Sequence, residues 1–338
     1  MLLALVLGLA GCGKPALQHL AGSAQGTTYH ISWWNAQPID ARGLHAAVEA
    51  ELARIDLALS NYRPDSAIEA FNAHDALTPH PVPVELVELL RIANQVRAAG
   101  ADCYDLTLKP LSTLWGFRAD TLTVPAPETL ADALKHIGQH RVEIVDATHL
   151  RKTVPKVALD VSSIAQGYSV ARLAHLLDAA GIENYLVEIG GELQARGQKP
   201  DGRRWRIAVE RPLPGERRVH KIIELPAEHT IAVMTSGTYR HYYDDDGRRY
   251  SHILDARTGA PVTHDLVSVT VLHPDATRAD AWSTALLCLG AEDALALAER
   301  EGLAAMLIEL KDGALAEHVT TTFAGGAWTL HSIGATGR

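Results

Sequence analysis

Tyr250, Ser251, His252, Asp255, Arg257 and Thr258 crowd into a twelve-residue stretch ending at Pro261. Groups of these types could bind a phosphate or pass a proton, because an imidazole with an ordinary pKa near 6.5 accepts a proton at neutral pH. Alternation predicts a strand over residues 249–254 with Tyr250, His252 and Leu254 on one face, and Thr258 and Gly259 predict the turn that follows. Taken alone, the same residues read more simply as a hairpin carrying an ordinary strand histidine.

Asp280 and Thr284 stand four apart in a predicted helix over 278–289 and so share a face. One carboxylate and one hydroxyl make a poor zinc site but a reasonable part of an oxygen-only magnesium or calcium site. The plainer alternative makes Asp280 a first-turn residue complementing the helix dipole and Thr284 a surface residue. A third stretch, 159–168, carries Asp160 and a run of small residues from a predicted strand (157–161) into a predicted helix (164–180). Such a turn presents unpaired amides suited to a phosphate, or is a plain helix start capped by Ser162 or Ser163. Gly190 and Gly191 imply close packing or a strand bulge, and Thr235, Ser236 and Gly237 offer donors or form a turn. Asp244, Asp245, Asp246 and Gly247 read as a hairpin tip, because the spaced ligands of a calcium loop are missing.

These groups need elements to position them. Residues 27–34 alternate as a strand, and Leu44, Val48, Leu52, Ile55 and Leu59 mark one face of a helix with Asp40 as its N-cap. Polar, proline-containing chemistry then places Tyr62 and Ser66 on a loop. A second helix is expected over 84–99, ending at Gly100, and a short one ends at Trp115 and Gly116, with Asp105 expected as its N-cap. Short strands follow at 141–145, 185–189, 205–210, 219–225, 230–234, 239–243, 266–272, 304–310 and 314–321, with helices over 128–137 and 291–300 between them. Helix and strand are mixed without a repeat, and no GxGxxG fingerprint follows a strand.

The chain has 338 residues, 47% of them hydrophobic, enough for a large core. A net charge of −9 and the absence of a long Lys/Arg run disfavour nucleic-acid binding. Cys12, Cys103 and Cys288 form no CxxC pair, so neither a thiolate metal site nor a disulfide framework is indicated. Residues 1–11 are apolar and too short to span a bilayer, and Leu9, Ala10, Gly11 and Cys12 resemble a bacterial lipobox without a basic n-region. The expected organisation is a signal peptide with lipobox over 1–11, a tether over 12–24, a single domain over 25–331 and a tail over 332–338. A lipid on Cys12 would anchor the protein to the membrane, at the periplasmic side of the inner membrane.

Eight segments in register make the pattern specific. They are Gly26 to Tyr29; Ser60, Asn61 and Tyr62 with Ser66 and Asn72; Tyr104 to Thr107 through Trp115, Gly116 and Phe117; Leu159 to Tyr168; Gly190 to Glu192; Thr235 to Gly237; His252 to Asp255 with Arg257 to Gly259; and Asp280 with Thr284. The chain resembles the ApbE family of FAD:protein FMN transferases over nearly all residues after about 24. The resemblance implies an α+β fold, related to the T-fold, of mixed helices and largely antiparallel sheets, and not a Rossmann fold. It implies Mg2+ held by Asp280, Thr284 and the Ser163 carbonyl. FAD contacts are implied at Tyr62, Cys103, Tyr104, Asp105, Asp160, Gln166, Glu192, Ser236, His252 and Ile253. Departures from the family pattern are Gln166 in place of a frequent Lys, Ala171 for Asp, Ala256 for Pro and Gln25 for Met.

The implied reaction is attack by a Thr or Ser hydroxyl of an acceptor protein on the FMN-side phosphorus of FAD, releasing AMP and leaving a phosphoester-linked flavin. His252 is the candidate general base. Acceptors implied by the resemblance are flavoprotein subunits of membrane redox complexes. Two rivals are a magnesium-dependent FAD pyrophosphatase and a flavin-binding lipoprotein without turnover.

Overall fold

The computed structural model describes residues 16–332, except 214, 216, 246 and 247, so the lipobox around Cys12 lies outside the described residues. The chain opens with β1 (Gln18–Ala24) and β2 (Thr27–Trp34), then α1 (Ala41–Leu59), α2 (Ala67–Ala73), β3 (His80–Pro81) and α3 (Val84–Ala98). Next come α4 (Lys109–Leu114), α5 (Pro127–Leu134), β4 (Val142–Ile144), β5 (His149–Lys152), α6 (Ala165–Ala179), β6 (Asn184–Ile189) and β7 (Glu192–Arg196). β8 (Arg206–Glu210), β9 (Val219–Glu224), β10 (Ile231–Gly237), β11 (Tyr242–Asp245), β12 (Arg248–Ser251) and β13 (Leu266–His273) follow. The described chain closes with α7 (Ala276–Leu289), α8 (Ala291–Arg300), β14 (Ala304–Lys311), β15 (Ala314–Val319), α9 (Thr321–Ala324) and β16 (Thr329–Ser332).

An eight-stranded antiparallel sheet, in the order β1-β2-β6-β7-β10-β13-β14-β15, is the centre of the molecule. Strand side chains alternate between faces, and the core follows that period. Ala232, Met234, Val269, Val271, Ala305 and Leu307 face the helical side, packed with α1, α3, α6 and α7 in the main core. Val233, Leu272, Ala304, Met306 and Ile308 face the opposite side, against the small sheet β16-β9-β8 and Phe323. Mixed helices and antiparallel sheets give the α+β architecture expected. Among the described residues no helix is long and apolar enough to cross a membrane.

Asp40 caps α1 as expected, accepting from the Arg42 and Gly43 amides, and Gly181 closes α6 with φ 74°. Several expectations need correction. Residues 18–24, assigned to a tether, are the edge strand β1, turned into β2 through Gln25 and Gly26 at φ 52° and 74°. Ser66 ends the expected loop, but it accepts from the Glu69 amide to start α2, a helix not expected there. Gly190 and Gly191, at φ 61° and 106°, are the two-residue turn of the β6–β7 hairpin and not a bulge, while the close packing expected is met at Gly190, where a Cβ would lie 2.2 Å from Gln166 Nε2. Residues 157–161 form no strand, because Asn72 Oδ1 accepts from the Leu159 amide at 2.7 Å, the Leu106 carbonyl from the Asp160 amide at 2.7 Å and Asn61 Oδ1 from the Val161 amide at 3.1 Å. Thr235, Ser236 and Gly237 belong to β10 and form no turn. α7 begins at Ala276, capped by Asp275, so Asp280 lies beyond the first turn and is buried.

Candidate active site

A cleft of about 360 Å³ opens where α7, the start of α6, the β6–β7 turn, β10 and the segment after β12 converge. Every residue assigned above to FAD or to the metal lines it. Tyr62, Cys103, Tyr104, Asp105, Asp160 and Gln166 come from the first half of the chain, and Ser163 lies among them. Glu192, Ser236, His252, Ile253, Asp280 and Thr284 come from the second.

Asp280 reaches the cleft because α6 and α7 touch almost backbone to backbone. A Cβ on Gly167 would lie 2.5 Å from both the Ala276 carbonyl oxygen and the Asp280 Cβ. That approach lets the Gly167 N–H donate to Asp280 Oδ2 at 2.7 Å. Ser236 Oγ lies 2.8 Å from both Thr284 Oγ1 and Ser283 Oγ, joining β10 to α7. Glu192 accepts from the Thr235 amide at 3.0 Å. Burial raises both the Asp280 and Glu192 carboxyls above the usual range, and the Asp280 charge adds to the rise at Glu192.

Two buried carboxyls sharing one cleft favour a cation between or beside them. The donors gathered with Asp280 are the hydroxyls of Thr284 and Ser236, and Ser163 lines the same cleft. No cluster of three or more His, Cys, Asp or Glu occurs among the described residues. An oxygen-only set of this kind fits a hard cation such as magnesium and not a thiolate- or imidazole-loving metal.

Beyond β12, the His252 Nδ1 lies 2.9 Å from the His241 carbonyl oxygen. A carbonyl only accepts, so Nδ1 carries the hydrogen and Nε2 of the neutral ring keeps its lone pair. The His241 ring stacks on His252 at 5.3 Å between centroids. Burial pushes the His252 pKa down to about 4, partly offset by the His241 carbonyl. The remaining polar groups of the 250–261 stretch do structural work. Asp255 accepts from the Arg257 backbone at 2.8 Å and pairs with its guanidinium, and the Gly259 carbonyl accepts from Trp115 Nε1 at 2.8 Å.

Asp105 is not a helix cap. Its Oδ1 accepts from the Thr107 amide and hydroxyl and its Oδ2 from the Gln139 amide at 2.8 Å, which fixes the loop before α4. Asp160 Oδ1 accepts from the Ser162 amide and hydroxyl, and α6 itself starts without a side-chain cap. Tyr104 is buried and receives the Ser163 hydroxyl at 3.3 Å. Gln166 Nε2 donates to the Ile189 carbonyl at 3.4 Å, so it sits against the glycine turn.

The cleft residues that sequence reasoning missed include Arg118, Arg240 and His241. Arg118 directly follows the Trp115 to Phe117 motif and Arg240 lies three residues past Gly237, so adjacency to a motif was the available signal. It also missed a pairing. Cys103 and Cys288, 185 residues apart, form a disulfide with Cα atoms 6.1 Å apart, and both line the cleft.

Residues 25–307 match the model of the family described as the ApbE family. The chain is 38% identical over 325 residues to an FAD:protein FMN transferase of Vibrio cholerae, covering 95% of this chain and 96% of that protein. It is 37% identical to the FAD:protein FMN transferase of Salmonella typhimurium, covering 89% and 86%. Among solved structures, the flavinyl transferase ApbE of Pseudomonas stutzeri, in its apo form, superposes with a TM-score of 0.84 at 41% identity, covering 92% of this chain and 97% of that one.

Proposed function

The chain belongs to the ApbE family, and we propose that it transfers FMN from FAD to an acceptor protein, with Mg2+ as its metal and a Thr or Ser hydroxyl as the acceptor group. The observation that carries this reading is the convergence, in one cleft, of a histidine with a free Nε2 lone pair and an oxygen-only cation site on Asp280 and Thr284.

His252 is held with Nδ1–H on the His241 carbonyl, so its Nε2 takes the proton of the attacking hydroxyl. The hydroxyl oxygen bonds to the FMN-side phosphorus, the bridging P–O bond breaks, and AMP leaves with that bridging oxygen. Because the imidazole is neutral well below pH 7, it is ready to accept throughout the neutral range. Asp280, Thr284 and the Ser163 carbonyl would hold magnesium, which supplies neutralisation of the pyrophosphate charge and orientation of the phosphorus. Ser236 is placed by its hydroxyl contacts with Ser283 and Thr284 to support that set. Gln166 offers an amide N–H at the β6–β7 turn where the family often has a cation, so this chain orients the nucleotide there by hydrogen bonding alone.

The lipobox at Cys12 supports a lipid-anchored protein on the periplasmic side of the inner membrane, with acceptor subunits of membrane redox complexes as partners. Cys12→Ala would move the protein from the membrane fraction to the soluble fraction. The activity is tested by incubating the protein with FAD and magnesium, with and without an acceptor domain, and following AMP and acceptor-bound flavin fluorescence. Flavin appearing covalently on the acceptor with one AMP per transfer is expected. AMP and free FMN released equally with or without acceptor would instead identify a pyrophosphatase, and FAD binding with no AMP a carrier.

A further inference from the structure

Tyr62 is 75% exposed although it lines the cleft, an unusual position for a large ring on an otherwise polar loop. One side of it is occupied. The Arg118 guanidinium carbon lies 4.8 Å from the ring centroid. Arg118 itself is well covered, with a side chain 18% exposed. It is tethered from behind, since Nη2 donates to the Asn61 carbonyl and Nη1 lies 3.5 Å from Asp160 Oδ2. Asn61 and Asp160 are fixed in turn. Asn61 binds the Leu159 carbonyl and the Val161 amide, and Asp160 binds Ser162. A cation held by rigid neighbours therefore attracts the face of a ring whose remaining surface is open.

We propose that Arg118 is a positioning residue for FAD, holding the Tyr62 ring as a flat platform on which one of the two heteroaromatic ring systems of the dinucleotide stacks. The proposal rests on FAD being the substrate. An exposed tyrosine without a partner samples several rotamers and loses that freedom when a ligand orders it. The guanidinium orders the ring beforehand, so the contribution appears as affinity for FAD and in KM, while the chemistry at His252 and Asp280 proceeds as before. In this role Arg118 acts through the Tyr62 ring, which makes it a positioning residue and not a catalytic group.

The test measures FAD binding by titration calorimetry, and transfer kinetics, on the full chain with magnesium. The variants are Arg118→Ala, Arg118→Lys, Tyr62→Ala, Tyr62→Phe and the double alanine variant. Arg118→Ala and Tyr62→Ala are each expected to weaken FAD about three- to tenfold, in line with a cation–π contact and a stacked ring. Tyr62→Phe keeps the ring and Arg118→Lys keeps a cation, so each should retain more affinity than its alanine counterpart. The double variant should be no weaker than Tyr62→Ala alone, and kcat at saturating FAD should fall less than KM rises. Titration with FMN and with ADP then shows the ring involved, as the mononucleotide whose affinity Arg118→Ala reduces. Losses that multiply in the double variant, a loss confined to kcat, an equal loss for FMN and ADP, or a Tyr62→Ala protein with full affinity would each overturn the proposal. Wild-type protein that fails to bind FAD would refute the assignment of substrate instead, so the two failures are separable.

Discussion

The Gly167 backbone N–H donates to Asp280 Oδ2 at 2.7 Å, so the candidate metal carboxylate is oriented by the first turn of a different helix. Only a glycine permits this contact, since any Cβ would fall 2.5 Å from the Ala276 carbonyl oxygen. Gly167→Ala is therefore expected to push α6 from α7. The overpacking costs about 1 to 3 kcal/mol of stability. Transfer activity should fall further than that stability loss implies, and the magnesium concentration for half-maximal rate should rise. Chemical denaturation and a magnesium titration check both, and an alanine variant with unchanged magnesium dependence would contradict this role.

Asp280→Ala should abolish metal-dependent transfer while the protein still folds. Removing the carboxylate leaves the buried Gly167 N–H unpaired, a cost of about 1 to 3 kcal/mol. Asp280→Asn keeps an acceptor for that N–H and should recover most of the stability but little of the activity. Activity that recovers with stability in the Asn variant would mean that Asp280 is structural.

The elements that were legible in the sequence are those whose signal is local. Leu44, Val48, Leu52 and Ile55 recur at helical spacing behind an aspartate cap, and all four are buried on α1. Asp280 and Thr284, four apart, do face one cleft. What was misread depends on distant partners. Val157, Leu159 and Val161 alternate like a strand and are buried, yet their backbone is held by the side chains of Asn61 and Asn72 from far upstream. β1 carries largely exposed residues with little apolar alternation, so only its pairing with β2 identifies it. Arg118 carried only the weak signal of following a motif, because its contact with the Tyr62 ring joins positions far apart in the chain.

Cys103 and Cys288 illustrate the same limit, since a separation of 185 residues has no spacing signature. Their pairing ties the loop before α4 to the end of α7, two parts of the cleft wall. Reduction is expected to lower stability by about 2 to 5 kcal/mol, because the bridge closes a long loop in the unfolded chain. Urea denaturation with and without a reductant measures this. Equal midpoints, with thiol labelling showing that reduction was complete, would contradict a stabilising bridge.

His252 gives the prediction with a defined pH signature. Its folded-state pKa is depressed to about 4 by burial, so lowering the pH converts the neutral base to an imidazolium only near that value. With magnesium and FAD saturating, kcat should stay flat from about pH 8 down to about pH 5 and then fall as the pH approaches 4, whereas an ordinary histidine would halve the rate near 6.5. The sign follows from the role: the base works unprotonated, so protonation removes activity. His252→Asn should still bind FAD but transfer FMN about 10² to 10⁴ times more slowly, and its residual rate should lose the acid limb. Stopped-time transfer assays across that pH range decide the matter. A variant that keeps the same acid limb would assign the titration to another group and leave His252 a binding residue, held by the His241 carbonyl to orient the dinucleotide and not to take its proton.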